Sequence, residues 1–283
     1  MQTNPASKRT YIYKEGTATI LDPSHLLASP FVPFVAKDIN KRTNPQAILP
    51  GAQSVYVFAM EATPILQPLP QGENLVELST LGTTIDYHHS LRTLMEDFAK
   101  DLEGQHKILV DSPTLDERAY ALHTGLGFFG RHGLIITPQF GTRFNIGLIL
   151  STLPTTARAS TIGQCPPHCN KCIQACPTGA LQQGKPLNTG RCASYLTQKK
   201  HITPEEGALI KQSNQVYGCE ICQDACPFNK PRAKTFINPS HWGNQTNHEL
   251  ELKYKSTAML WQGTEILRRN CKIFAPHLDS EAN

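Results

Sequence analysis

Nine cysteines occur in the 283-residue chain, and eight of them fall between Cys165 and Cys226. A first run holds Cys165, Cys169, Cys172 and Cys176, the last followed by Pro177. A second holds Cys219, Cys222 and Cys226, the last followed by Pro227, and Cys192 stands between the runs. Closely spaced thiolates on a tight turn face one iron–sulfur cubane, and the cysteine that precedes proline serves the neighbouring one, as in two-cluster ferredoxins. Two 4Fe–4S clusters require eight thiolates, and this segment supplies eight. The spacing assigns Cys165, Cys169, Cys172 and Cys226 to one cluster, and Cys176, Cys192, Cys219 and Cys222 to the other. Soft sulfur donors suit iron–sulfur chemistry. The bland alternative is a zinc ribbon on the two Cys-x-x-Cys pairs, but zinc uses four ligands and has no need of the repeated Cys-Pro ending. One irregularity stands: three residues separate Cys165 from Cys169, where a ferredoxin run has two, which leaves either a bulged turn or a role for His168. Cys271 is left over as an ordinary thiol.

Thiols at this density in a small secreted protein imply disulfides; in a chain of this length without a signal-like start they imply metal. Apolar residues are 39% and charged residues 18%, enough for a core and too few charges for wholesale disorder. The net charge of +4 neither demands nor excludes a nucleic-acid partner. No apolar run reaches membrane-spanning length and the polar stretch Met1 to Gly16 lacks the apolar core of a secretory signal, so a cytoplasmic protein with no membrane partner is expected.

Clusters carry electrons to something, and the elements ahead of the cysteines must position it. Ser54–Met60 reads as a buried strand, and apolar residues from Thr84 to Leu102 recur at helical spacing. Lys107–Val110 reads as a short strand running into Asp111, Ser112 and Pro113, a helix start for Thr114–His123. Leu134–Thr137 and Phe144–Leu150 read as strands around a turn at 139–142. Residues 1–50 give a weak pattern, with Ile20-Leu21 and Leu26-Leu27 as pieces of short helices and 30–33 as loop. The segment 61–83 reads mostly as loop, 155–164 as linker, and Thr257–Arg269 as a last helix. The expected class is α/β with a mixed sheet, in three parts: a catalytic α/β domain at 1–157, a double 4Fe–4S ferredoxin-like domain at 158–235, and a short helical segment at 236–283.

Within the first part no glycine-rich fingerprint follows a strand, so a nicotinamide site is unsupported. Gly125, Gly127 and Gly130 follow a helix instead, where they form a turn that would let a planar cofactor approach closely. Two polar groups remain: Asp86 to His89 at a helix start, and Asp111 at a strand end, where open sheets place ligands. Asp111 is equally well a helix cap, His88 and His89 solvated residues, and Glu117 an exposed helix charge.

Several segments, in order over roughly residues 54–230, resemble the epoxyqueuosine reductase family. They are Asp86-Tyr87-His88, Asp111-Ser112 with Glu117-Arg118, and Gly125 to Phe128 with Gly130-Arg131-His132. There follow Cys176 to Ala180, Arg191-Cys192 with Ser194 to Thr197, and Tyr217-Gly218-Cys219 through Asn229. The resemblance implies a cobalamin-binding α/β core, similar to that of reductive dehalogenases, fused to a bacterial-ferredoxin-like domain. It implies reduction of epoxyqueuosine to queuosine in tRNA, with electrons from a low-potential donor passing through the clusters to cobalamin as Co(I). It gives Asp111 the role of proton donor, its pKa raised beside an apolar corrin, and Tyr87 and His88 a share in the relay. It sets Arg131, His132, Gly127 and Gly130 against the cofactor. The lower-ligand pattern Asp-x-His-x-x-Gly is incomplete, since Asp86 and His88 are followed by Leu91, which agrees with cobalt lacking a protein imidazole.

Family members carry a C-terminal helical-repeat extension that helps hold tRNA, of which only 256–271 has a counterpart here, so the chain reads as a short form. Lys199-Lys200, Lys230, Arg232, Lys234 and Arg268-Arg269 are either phosphate contacts on the anticodon loop or ordinary surface charges. Two alternatives stay open: a corrinoid iron–sulfur reductase of another substrate, and a ferredoxin-like electron carrier.

Overall fold

The structure is a computed structural model and describes residues 2–4, 9–22, 38–63, 74–158 and 162–275. Its strands, in chain order, are β1 (Gln2–Asn4), β2 (Arg9–Thr17), β3 (Ser54–Glu61), β4 (Val76–Leu78), β5 (His106–Val110), β6 (Phe128–Phe129), β7 (Ile135–Ile136), β8 (Phe144–Ser151), β9 (Gln215–Tyr217) and β10 (Thr235–Ile237). The chain divides into two compact units. The first comprises Met1–Glu61, Tyr87–Asn170 and Pro227–Lys230; the second comprises Ala62–Asp86, Lys171–Cys226 and Pro231–Asn283.

The first unit is built on an antiparallel sheet in the order β1-β2-β3-β8-β5. Its centre, β3, is buried on both faces, which is why its sequence is a continuous apolar run rather than an alternating one. Successive side chains point to opposite faces. Val55, Val57 and Ala59 therefore join Leu148, Leu150 and the helix Glu117–His123 in one core. Tyr56, Phe58 and Met60 join Ile149 and the helix Tyr87–Ala99 in the other. That second helix contributes Leu91, Leu94 and Met95 at helical spacing.

β2 escapes the sequence reading because Arg9, Lys14 and Glu15 mask its pattern; Tyr13 nevertheless packs 5.3 Å from Phe58 and Ile12 faces the opposite core. Ile20-Leu21 is not helical, while Leu26-Leu27 and 30–33 lie outside the described residues. The helix expected to begin at Thr114 begins at Glu117, because Asp111 adopts φ +49° and the capping side chain is that of Asp116, which accepts the Ala119 N–H. β7 pairs with β6, and β8 pairs with β3 and β5, so the turn at 139–142 is closed by a bridge between Thr137 and Gly141 and not by a β7–β8 ladder.

The second unit redraws the expected boundaries at 158–235 and 236–283. Its sheet has the order β10-β4-β9, with β4, from the segment read as loop, at the centre. Val76 and Leu78 of β4, Val216 and Tyr217 of β9, and Ile237 of β10 share one core with Trp242, Leu250, Met259, Leu267 and Cys271. The physical reason is scarcity: a cysteine-rich segment has too few apolar side chains for a core, so strands and helices from both sides complete it. The expected last helix is two pieces, a 3-10 turn at Ala258–Leu260 and a helix at Thr264–Phe274, interrupted at Gly263 with φ +95°. Inside that last helix Asn270 donates to the carbonyls of Thr197 and Val216, both at 2.8 Å. Cys271 is fully buried there, and burial pushes its thiol up to about 12, which makes it a packing residue.

Leu267→Ala is expected to cost about 2–5 kcal/mol and to lower iron retention on the same denaturation curve, although Leu267 is remote in sequence from every cluster cysteine. Urea titration followed by both circular dichroism and the iron–sulfur absorbance checks this; an independent segment 236–283 would leave the iron signal unchanged.

Candidate active site and cluster ligands

β5 is the edge strand of the large sheet, and its last residue, Val110, hands the chain to Asp111. The helix Tyr87–Ala99 packs beside it with its first residues at the same end. Tyr87 Oη donates to Asp111 Oδ2 at 2.8 Å, and His88 Nε2 lies 3.5 Å from the same oxygen. The Tyr87 and His88 rings stack with centroids 4.3 Å apart. The three residues expected to act together are therefore one cluster, with the Asp111 side chain 62% exposed and so approachable from solvent. The chain's own groups shift its pKa downward. The hydrogen bond with His88 lowers it, burial raises it less, and the Tyr87 hydroxyl lowers it further, so the group sits below the usual carboxylate range. These bonds stabilise the fold above that range and are lost as pH falls through the folded-state pKa.

Glu117 is a residue the sequence reading underrated. Its carboxyl turns back from the first helical turn to accept the Ser112 N–H at 3.2 Å. Burial pushes its pKa well above normal, and the neighbouring Asp111 charge adds to that. The signal available in sequence was weak: Glu after Asp116 looks like an ordinary helix-start acid.

The glycines expected to admit a cofactor have work inside the chain. A Cβ on Gly127 would collide with Ile135 and the Ile136 carbonyl, and one on Gly130 with His132 and Ile136. They allow the β6–β7 hairpin to close on itself. Arg131 donates to the Pro167 carbonyl at 2.7 Å, so its guanidinium steadies the first cysteine run. In that run the Cys169 N–H closes a turn onto the Pro166 carbonyl, which accommodates the extra residue as a bulged turn. His132 is buried and burial pulls its pKa down to about 4, so the ring is neutral. Nδ1 accepts the Leu134 N–H at 3.2 Å, which leaves the proton on Nε2, a buried donor with no partner among the described residues.

Cys165 and Cys169 belong to the first unit; Cys172, Cys176, Cys192, Cys219, Cys222 and Cys226 belong to the second. Cys172 lies on the helix Lys171–Ala175 and Cys222 on the helix Ile221–Asp224. Burial raises the Cys192 thiol, takes that of Cys219 up to about 12 and lifts that of Cys222 well above normal. Nearby thiols add to each shift: Cys176 acts on Cys192, on Cys219 and on Cys222. Cys172 acts on Cys222 as well; thiols this crowded ionise together only when a cation supplies compensating charge, which suits a metal-binding role for them. Cys176 is the exception: burial raises it, but the Thr178 hydroxyl and the N–H groups of Leu181, Ala180 and Thr178 outweigh that and lower it. Pro177 and the left-handed Gly179, φ +64°, turn the backbone so that those N–H groups converge on one sulfur.

Several candidate phosphate contacts are engaged within the second unit. Arg232 pairs with Glu77 at 2.6 Å and Asp224 at 2.9 Å, and Lys234 with Glu77 at 2.9 Å. Arg269 donates to the carbonyls of Lys199 and Lys200. These groups hold the fold; Lys199 itself pairs with Glu206.

Two outcomes are expected. Cys192→Ser retains about four of about eight irons per chain, read by iron analysis and electron paramagnetic resonance, because one cubane loses a ligand and the other keeps its full set. Tyr87→Phe moves the Asp111 carboxyl pKa upward, read by carbon NMR titration, since a hydrogen bond to the ionised form is lost.

Comparison with known proteins bears on both units. Residues 42–112 match the family model described as "Epoxyqueuosine reductase QueG, DUF1730", and residues 164–229 match the "4Fe-4S double cluster binding domain". An epoxyqueuosine reductase of Bacillus cereus is 33% identical over an alignment 266 positions long that covers 86% of this chain and 69% of that protein. One of Bacillus subtilis is 30% identical over an alignment of the same length, covering 86% of this chain and 68% of that protein. A solved epoxyqueuosine reductase with an epoxyqueuosine-modified tRNA-Tyr stem loop has TM-score 0.82 at 28% identity, covering 94% of this chain and 77% of that one. A Bacillus subtilis structure with its catalytic aspartate loop swung out of the active site has TM-score 0.81 at 28% identity, with the same coverage of 94% and 77%. Among the described residues no helix is long and apolar enough to cross a membrane. With its double 4Fe–4S domain at 164–229 and identity of this extent, the chain belongs to the epoxyqueuosine reductase family.

Proposed function

We propose that this protein reduces epoxyqueuosine to queuosine in tRNA, using two 4Fe–4S clusters and cobalamin. The observation that carries the reading is the Tyr87–Asp111–His88 cluster at the end of the edge strand, in a chain that also holds eight cluster cysteines. The net change takes two electrons and two protons: both C–O bonds of the epoxide break, a C=C bond forms, and the oxygen leaves as water. Deoxygenation therefore needs a proton source beside the departing oxygen.

Asp111 is our catalytic acid. Its Oδ2 is the meeting point of the Tyr87 hydroxyl and the His88 ring, so a proton held by the His88–Asp111 pair is aimed out of the protein toward a bound oxygen. Tyr87 keeps the carboxylate oriented and relays the replacement proton. The orphaned Nε2–H of buried His132 fits a polar edge of a large cofactor, and with Arg131 and the Gly127–Gly130 turn it is the part of the chain we assign to holding cobalamin. When bound, cobalamin supplies a low-valent cobalt nucleophile for the reductive step. The eight cysteines would hold the two clusters, which would supply one-electron transfer from a low-potential donor. The anticodon loop of tRNA is the partner we assign, in keeping with the stem loop held by the solved relative, and the cytoplasm is the corresponding compartment.

The test is anaerobic turnover of protein loaded with iron, sulfide and cobalamin, given a low-potential reductant and tRNA bearing epoxyqueuosine, with nucleosides read by mass spectrometry. Queuosine is the expected product. Its absence from protein that contains both iron and cobalt would overturn the tRNA reading and point to another corrinoid substrate.

A further inference from the structure

We infer that Glu117 is the positioning residue that holds Asp111 in its working conformation, its carboxyl gripping the N–H of the next residue, Ser112, across the left-handed turn. The inference rests on the reading of Asp111 as the group that carries the proton.

Asp111 has φ +49°, one of three non-glycine residues in the left-handed region among those described. That conformation is uncommon for any residue with a side chain, although aspartate tolerates it better than most, so contacts that hold the backbone there count. Tyr87 and His88 touch the side chain and leave the backbone to be held by something else. Two successive amides at a left-handed residue make a concavity that binds an anion. Here the chain fills that concavity itself, with Glu117 Oε1 3.2 Å from the Ser112 nitrogen.

The local sequence frees Glu117 for this. Asp116 takes the capping role, accepting the Ala119 N–H at 3.1 Å and pairing with Arg42. Glu117, the first residue of the helix, is left free of the capping role and turns back toward the strand end. Ser112 Oγ and Thr114 Oγ1, 2.7 Å apart, close the rest of the turn. The carboxyl feels opposing influences. The Ser112 amide favours its charged form, while burial and the Asp111 charge oppose it, so the grip is coupled to the charge state of the residue it holds.

The experiment compares Glu117→Ala, Glu117→Asp and Glu117→Gln with the full-length wild type. Aspartate keeps the acidic helix start but is one methylene too short to reach the amide; glutamine keeps the reach and a carbonyl acceptor. Amide hydrogen exchange at Ser112 is expected to quicken about tenfold or more in the Ala and Asp variants and to stay near wild type in Gln. In the loaded enzyme, kcat is expected to fall about 100-fold in Ala and Asp with KM little changed, and to recover within about tenfold in Gln. Unchanged exchange in both Ala and Asp would overturn the grip, as would a Gln variant as impaired as Ala. Asp111→Asn with full turnover would instead sink the proton-carrier reading, leaving exchange alone to judge the grip.

Discussion

A strand with no wet face governs the first unit. Seven consecutive buried residues of β3 must be covered on both sides, and the chain supplies one helix for each side. The helix Tyr87–Ala99 covers one, the helix Glu117–His123 the other, and β8 joins β3 to the edge strand β5. Once those layers are stacked, the end of β5 has the first residues of one helix beside it and the start of the other just beyond it. Asp111 is reached by Tyr87 and His88 from the first and by Glu117 from the second. The polar cluster is a consequence of how an apolar strand is covered, and its precision derives from packing.

The second unit solves a different problem. Several thiols must be brought close while their charges oppose one another. The chain holds them with short helices and turns, aims N–H groups at Cys176, and closes the surrounding shell with strands taken from residues 76–78 and 235–237. Glu77 on the central strand balances Arg232 and Lys234, tying that shell together with charge where apolar surface is scarce. Gly218, with φ +67° and no room for a Cβ against Ser79, lets the chain turn from β9 straight into Cys219.

What was legible in the sequence was whatever has a period or a fixed spacing. The cysteine runs, β3 and the amphipathic helix after Thr84 fall in that class. So did the grouping of Tyr87, His88 and Asp111, though only through the family resemblance, since strand ends and helix starts carry no signal of which will meet. Four things stayed hidden. β2 is apolar on both faces but speckled with charge, and β4 is three residues long and gains its identity only by pairing with β9 and β10. The downward shift of Asp111 depends on donors that come from a residue 24 positions earlier and its neighbour. The backbone conformation at Asp111, which denies it the capping role, is one that aspartate tolerates, and the Glu117 contact to Ser112 that accompanies it leaves no mark in the sequence pattern.

The central claim is that electrons alone do not complete the reaction: a proton must come through Asp111. The most direct measurement is a single turnover of fully pre-reduced, cobalamin-loaded protein mixed anaerobically with epoxyqueuosine tRNA. Wild type and Asp111→Asn would be compared by mass spectrometry of the nucleosides and electron paramagnetic resonance of the clusters. The account predicts a burst of queuosine from wild type, and from the variant reduced clusters that persist with no product. Queuosine formed by Asp111→Asn at the wild-type rate would contradict it.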